Sequence, residues 1–212
     1  MKGLILNNLY SMGKGIKSAI FLTFVTVVGL LMFEDAFAMR IAAFLPFLLI
    51  PVHAFEVNKH DNMSGWNKFE ITLPVTRHEI VQSKYATFLL LFLFSATLAI
   101  TLFFIVNFFI PTAFTMVFFN FMLRGMGMIL CIAVIVYPLT YILGVEKSDF
   151  IMVFSMGFAF GMFGLVFVVL QMMIGIVDGF DEIFSITFLS FSIFLLIISY
   201  IISTVVYMRK EF

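Results

Sequence analysis

Apolar residues fill this chain in six long blocks, and the polar residues between them are few. The blocks predict helical spans at about 18–33, 36–54, 85–110, 118–144, 150–174 and 183–208. Runs of about 20 apolar residues are long enough to cross a hydrocarbon core of roughly 30 Å. The least regular stretch is 109–127, where Pro111, Asn120 and Arg124 interrupt the apolar run. A short re-entrant or interfacial segment ahead of a shorter fourth span is the alternative there. Pro46 and Pro51 predict a break in the second span, since sharp bends in helices gather at proline.

The polar stretches carry patterns of their own. In residues 1–17, Ile5, Leu9, Met12 and Ile16 recur at helical spacing, and the stripe continues to Ile20. Asn7, Ser11, Lys14 and Ser18 recur on another face. That is an amphipathic helix with a basic polar side, suited to lie along the inner membrane surface before the first span. Gly13 and Gly15 mark the expected bend.

The one long polar insert covers 56–84. Within it, Thr76-Arg77-His78-Glu79 is a capping box, in which the threonine hydroxyl and the glutamate carboxylate each satisfy a free backbone N–H at a helix start. Pro74 separates that helix from what precedes it. Trp66, Phe69 and Leu73 fall at i, i+3 and i+7, which predicts a short amphipathic helix opened by Ser64-Gly65. The insert therefore reads as a helix–proline–helix hairpin. Its aromatic edge suits either docking of a partner or burial in the lipid headgroup layer, and periodicity leaves both open.

Composition agrees with the blocks. Of 212 residues, 63% are hydrophobic and 11% charged, less than half the roughly 25% charged residues of an average soluble domain. Too little polar material exists to make a soluble surface, so the expected class is an all-α polytopic membrane protein, one domain over 1–212. The formal net charge of zero argues against nucleic acid as a partner. The single cysteine, Cys131, lies in an apolar run and reads as a small core residue.

Lys and Arg set the orientation. With six spans, Lys2, Lys14, Lys17, Lys59, Lys68, Arg77, Lys84, Lys147, Arg209 and Lys210 share one side, the cytoplasmic one. Glu34, Asp35, Asp178, Asp181 and Glu182 fall on the other, with no lysine. Both termini are then cytoplasmic. Ala36-Phe37-Ala38 imitates a signal-peptidase site, but Glu34 and Asp35 crowd it and a second span follows at once, so an uncleaved first span is expected.

Chemistry inside the chain is not expected. No G-x-x-x-x-G-K-[ST] phosphate loop occurs. His53, His60 and His78 are scattered without zinc-ligand spacing, and no nucleophile elbow is found, so neither a catalytic nor a metal site is predicted. Polar residues within spans are the candidates for a translocation path: Arg124, Asn120, Gln171 and Arg40. For Arg40 the plain alternative is a local ion pair with Glu34 or Asp35. Arg124 has no acid near it in sequence and could snorkel or line a cavity. Gly157, Gly161 and Gly164 make a stripe of small residues in the fifth span that admits a close helix neighbour, from this chain or another.

Gly65-Trp66-Asn67-Lys68-Phe69, Leu73-Pro74-Val75-Thr76-Arg77, Glu79-Ile80-Val81 and Ser83-Lys84-Tyr85 resemble the first cytoplasmic loop of type-2 ABC exporter permeases. The likeness is to the compact six-span bacterial group that includes the phenol-soluble modulin exporters, and the opening Met1-Lys2-Gly3-Leu4-Ile5-Leu6 is similar to that group's start. The loop departs from the group in carrying Phe69 and Ile71-Thr72 where a tyrosine and a serine-containing pair are usual.

The resemblance implies that a separate ABC ATPase binds ATP and Mg. It also implies that Trp66, Phe69, Leu73 and Pro74 form a coupling hairpin whose angle Thr76 and Glu79 fix. The expected function is export of amphipathic or hydrophobic cargo, a peptide first of all, across a bacterial cytoplasmic membrane. One copy seats too few spans to enclose a large cargo, so a second copy or a sister permease is expected beside it in the lipid bilayer. The competing possibility is an ATP-independent carrier or a non-transporting assembly factor. A coupled carrier needs an acid near the midplane, and all twelve acids map to loops, termini or span ends.

Overall fold

The structure, a computed structural model, describes residues 2–33, 35–70, 72, 74–109 and 115–209. Among these it is helical with no strand. The helices are α1 (Lys2–Ser11), α2 (Gly13–Leu31), α3 (Ala36–Leu49), α4 (His53–Met63), α5 (Trp66–Glu70), α6 (Arg77–Phe109), α7 (Thr115–Leu143), α8 (Ser148–Ile174) and α9 (Phe180–Arg209), with a 3-10 turn at Val145–Lys147 before α8.

Among the described residues, five segments are long and apolar enough to cross a membrane: Ala36–Asp61, Arg77–Phe109, Thr115–Leu143, Val145–Ile174 and Phe180–Arg209. A sixth is present if α1 and the helix after it count as one broken span, bent by 66°. The bend falls at the expected glycines, between Ser11 and Gly15. The separate N-terminal helix therefore ends at Ser11, and Met12 N-caps α2.

One boundary differs from the sequence expectation, and two others follow it. The second span does not stop near residue 54. After Pro51 the chain turns through short-range bonds from His53 N–H to the Ile50 carbonyl (3.3 Å) and from Ala54 N–H to the Pro51 carbonyl (3.0 Å), then resumes as α4 to Met63. Pro46 sits within α3 without ending it. The helix opened by the capping box starts at Arg77 and runs on into the third span as α6. Its 33 residues extend about 50 Å at 1.5 Å per residue, more than the roughly 30 Å of a hydrocarbon core, so α6 projects beyond the apolar layer. Residues 115–127 form no separate segment. They are the first turns of α7, and Asn120 and Arg124 sit inside a continuous helix. Pro111 lies outside the described residues.

Helix α7 is the axis of the bundle, packed by α3, α8 and α9. Close approach depends on glycine at one place above all: a Cβ on Gly127 would come within 2.5 Å of the Phe188 ring of α9. Beside it, Cys131 meets Ser192 at 3.2 Å, fully buried, as expected of a small core residue. Stacked rings fill the rest, such as Phe103 on Phe118 with centroids 4.1 Å apart. Outward faces of α2, α6, α8 and α9 carry exposed Phe21, Leu93, Phe154 and Ile197. An all-α bundle that is packed within and apolar without is what a lipid environment selects.

Candidate functional site

The hairpin end of the bundle is built by sequence signals that work locally. Asp35 caps α3 at the far end, its carboxylate accepting from Phe37 N–H at 3.0 Å and Ala38 N–H at 3.3 Å. At the near end, Gly65 takes φ +75° and lets the chain reverse between α4 and α5, a conformation that side chains with a Cβ rarely adopt. Helix α5 is one turn long and presents Trp66 and Phe69 as a tilted pair with centroids 5.3 Å apart. Phe69 is 54% exposed. The capping box forms as expected: Thr76 N–H donates to the Glu79 carboxylate at 2.9 Å, and Glu79 N–H donates to the Thr76 hydroxyl at 3.3 Å. Pro74 lies exposed in the turn between α5 and α6. Leu73 lies outside the described residues.

Beneath the hairpin lies a buried polar cluster that spacing along the chain does not reveal. Lys84 of α6 pairs with Asp61 of α4, and its ammonium also donates to the Asn8 side chain of α1 at 3.2 Å. Asn8 in turn donates to the Thr87 hydroxyl at 3.2 Å. All four residues are buried. Glu70 of α5 is buried beside them, and one of its carboxylate oxygens finds no hydrogen-bond partner among the described residues. Burial pushes the Glu70 carboxyl above its ordinary value, with Lys84 opposing and Asp61 reinforcing the shift. Taking charge out of water disfavours it unless a partner is close, and Lys84 is already taken.

The cluster joins the hairpin to the spans on several sides. The Lys84 carbonyl accepts from the Tyr137 hydroxyl of α7 at 3.3 Å. The neighbouring Tyr85 hydroxyl sits between Ser199 and Ser203 of α9, at 2.9 and 2.8 Å. Arg77, at the start of α6, donates to the Met208 carbonyl at the end of α9 (2.9 Å), and Lys59 of α4 meets Asp149 of α8 at 3.2 Å. Side-chain bonds thus link α4 to α6 and α8, and α6 in turn to α1, α7 and α9.

At the opposite end, Arg124 is not an unaccompanied charge. Asp181, at the start of α9 and 57 positions on, accepts from its guanidinium at 2.7 Å, and Ser185 accepts at 2.9 Å. Phe121 and Phe184 flank it, with ring centroids at 4.8 and 4.9 Å. Arg40 lies over the same Phe121 ring at 5.2 Å, and no ion pair with Asp35 forms. Glu34 lies outside the described residues. Asn120 is half-buried on α7, one turn before Arg124, and Gln171 is exposed on α8.

Three comparisons with known proteins bear on this geometry. A family model described as "ABC-2 family transporter protein" matches residues 3–208. No curated protein and no solved structure matches the chain. The match runs from α1 through α9, over both the hairpin and the bundle behind it. The chain belongs to the ABC-2 transporter family as a membrane-embedded permease subunit, the kind whose partner is an ABC ATPase.

Proposed function

We propose that this permease exports amphipathic or hydrophobic cargo, with a peptide as the leading class, from a bacterial cell, and that its ATPase partner docks on the α5 hairpin. The distribution of Lys and Arg supports a cytoplasmic position for the hairpin and both termini. The observation that carries the proposal is the pairing of the Trp66–Phe69 edge, half-buried at Trp66 and exposed at Phe69, with the buried Lys84–Asp61–Asn8 cluster. The exposed Phe69 ring, backed by the half-buried Trp66, gives a partner something to grip. The cluster makes the tip, the N-terminal helix and the third span one mechanical unit. ATP and Mg belong to the partner, whose closure would swing this unit.

A second copy or a sister permease completes the transporter. The α8 stripe supports this: a Cβ on Gly157, Gly161 or Gly164 would meet nothing within 4 Å, so among the described residues no helix of this chain uses the close approach the stripe offers. Asn120 and Gln171 are offered as polar points along the cargo's route. Arg124 already has its charge matched by Asp181.

The test is co-expression with an ABC ATPase, reading co-purification and ATP turnover in lipid nanodiscs. Wild type retains the ATPase. Trp66→Ala with Phe69→Ala loses it, or keeps it with turnover no longer tied to transport. An ATPase retained and fully coupled by the double variant would refute the hairpin's role.

A further inference from the structure

At the end opposite the hairpin, α3, α7 and α8 enclose a groove of about 480 Å³. That volume lies in the roughly 300–1,000 Å³ range of small-molecule sites. Phe44, Phe121, Phe160 and Phe163 supply much of its wall, and Arg40 and Arg124 are its charged residues. The two guanidiniums share the Phe121 ring, but their charges differ in standing. Arg124 is neutralised by Asp181, whereas no carboxylate among the described residues pairs with Arg40.

Arg40 lies one turn inside α3, so its charge sits near headgroup depth, while the groove continues two turns deeper to Leu48. We infer that this groove holds an anionic phospholipid of the surrounding bilayer, its phosphate on Arg40 and an acyl chain along the phenylalanines. Phe37 and Phe160, at 66% and 65% exposure, form a wall that opens sideways toward lipid. A guanidinium fork fits a phosphate in two-point contact. An extended peptide is the poorer occupant. The side chains of the groove include no oxygen acceptor and only the weakly accepting Met128 sulfur, so the peptide's N–H groups would go unsatisfied in an apolar setting. An acyl chain asks for nothing but apolar contact. The inference is independent of the cargo and of the hairpin's partner.

The experiment is native mass spectrometry on permease extracted from vesicles holding equal parts phosphatidylglycerol and phosphatidylcholine. Wild type retains phosphatidylglycerol over phosphatidylcholine by roughly fivefold, the size expected of one basic side chain at a lipid surface. Arg40→Gln brings the ratio near one, and Arg40→Lys keeps part of the preference. Ile41→Trp narrows the groove without touching the charge, and it lowers retained lipid of both kinds. Equal retention of the two lipids by wild type overturns the inference. So does an unchanged preference in Arg40→Gln, unchanged lipid retention in Ile41→Trp, or a peptide found in place of lipid.

Discussion

Lys84 and Asp61 stand 23 positions apart in the chain, yet their side chains meet with only 5% and 6% of their surfaces exposed. One is on the helix that leads into the third span. The other closes the helix that continues the second. A pair so placed fixes the hairpin's angle to the bundle, because either charge left alone in that site is costly.

That cost is measurable. Asp61→Ala should lower unfolding free energy by about 3–5 kcal/mol, since it strands a buried ammonium. Lys84→Met in the same chain should recover most of the loss, because two apolar groups replace two charges. Thermal unfolding of the single and double variants checks this. A single variant as stable as wild type would mean that water reaches the pair.

Glu70 predicts a pH dependence of known sign. Its carboxyl is raised by burial, so the folded protein holds a proton there that the unfolded chain gives up at a lower pH. Stability from this group is present in full below its ordinary value of 4.5 and is lost as pH rises through the raised value. Glu70→Gln should be the more stable protein at neutral pH and should match wild type near pH 4. Melting curves across that range test it. A variant that is less stable at pH 7 would show that the charged form has a partner.

Two glycines should behave in opposite ways. Gly127→Ala forces a methyl into the Phe188 ring and should cost about 1–3 kcal/mol as overpacking. Gly157→Ala meets open space and should cost nothing, or gain the roughly 0.5–1 kcal/mol by which alanine outranks glycine in a helix. Gly157→Leu should leave the single chain folded but lower the dimer fraction seen by mass photometry, if the stripe receives a second permease.

Arg124 and Asp181 should contribute unequally. The Asp181 side chain is 73% exposed, so Asp181→Asn should cost less than about 1 kcal/mol. Arg124→Ala should cost more, about 2 kcal/mol, because it also removes the contact with Ser185 and vacates the space between Phe121 and Phe184. Equal losses would mean that the ion pair alone holds the arginine.

These residues also mark how far the sequence can be read. The capping box at Thr76 and Glu79 and the apolar run of α8 are local patterns, governed by spacing of four residues or fewer, and both are found in place. The α4 extension to Met63 escapes such reading, because Glu56, Lys59 and Asp61 look like loop residues until Asp149 and Lys84 arrive to pair with two of them. Arg124 is the same case: Asp181 reads as a loop acid, and only the fold brings it across. Asn8, hidden among polar neighbours on α1, carries no mark of its burial. Long-range polar pairs have no period, so the candidate site was legible at its exposed tip and not in the cluster that anchors it.

The hairpin's role as the coupling element is tested most directly by cross-linking. The single native cysteine, Cys131, is buried, so Phe69→Cys would supply the reactive thiol. A photoreactive maleimide placed there, in permease co-expressed with an ABC ATPase, should cross-link that ATPase in high yield and halt ATP-driven transport. An ATPase that co-purifies with the labelled permease, escapes the cross-link and still drives transport would contradict the account.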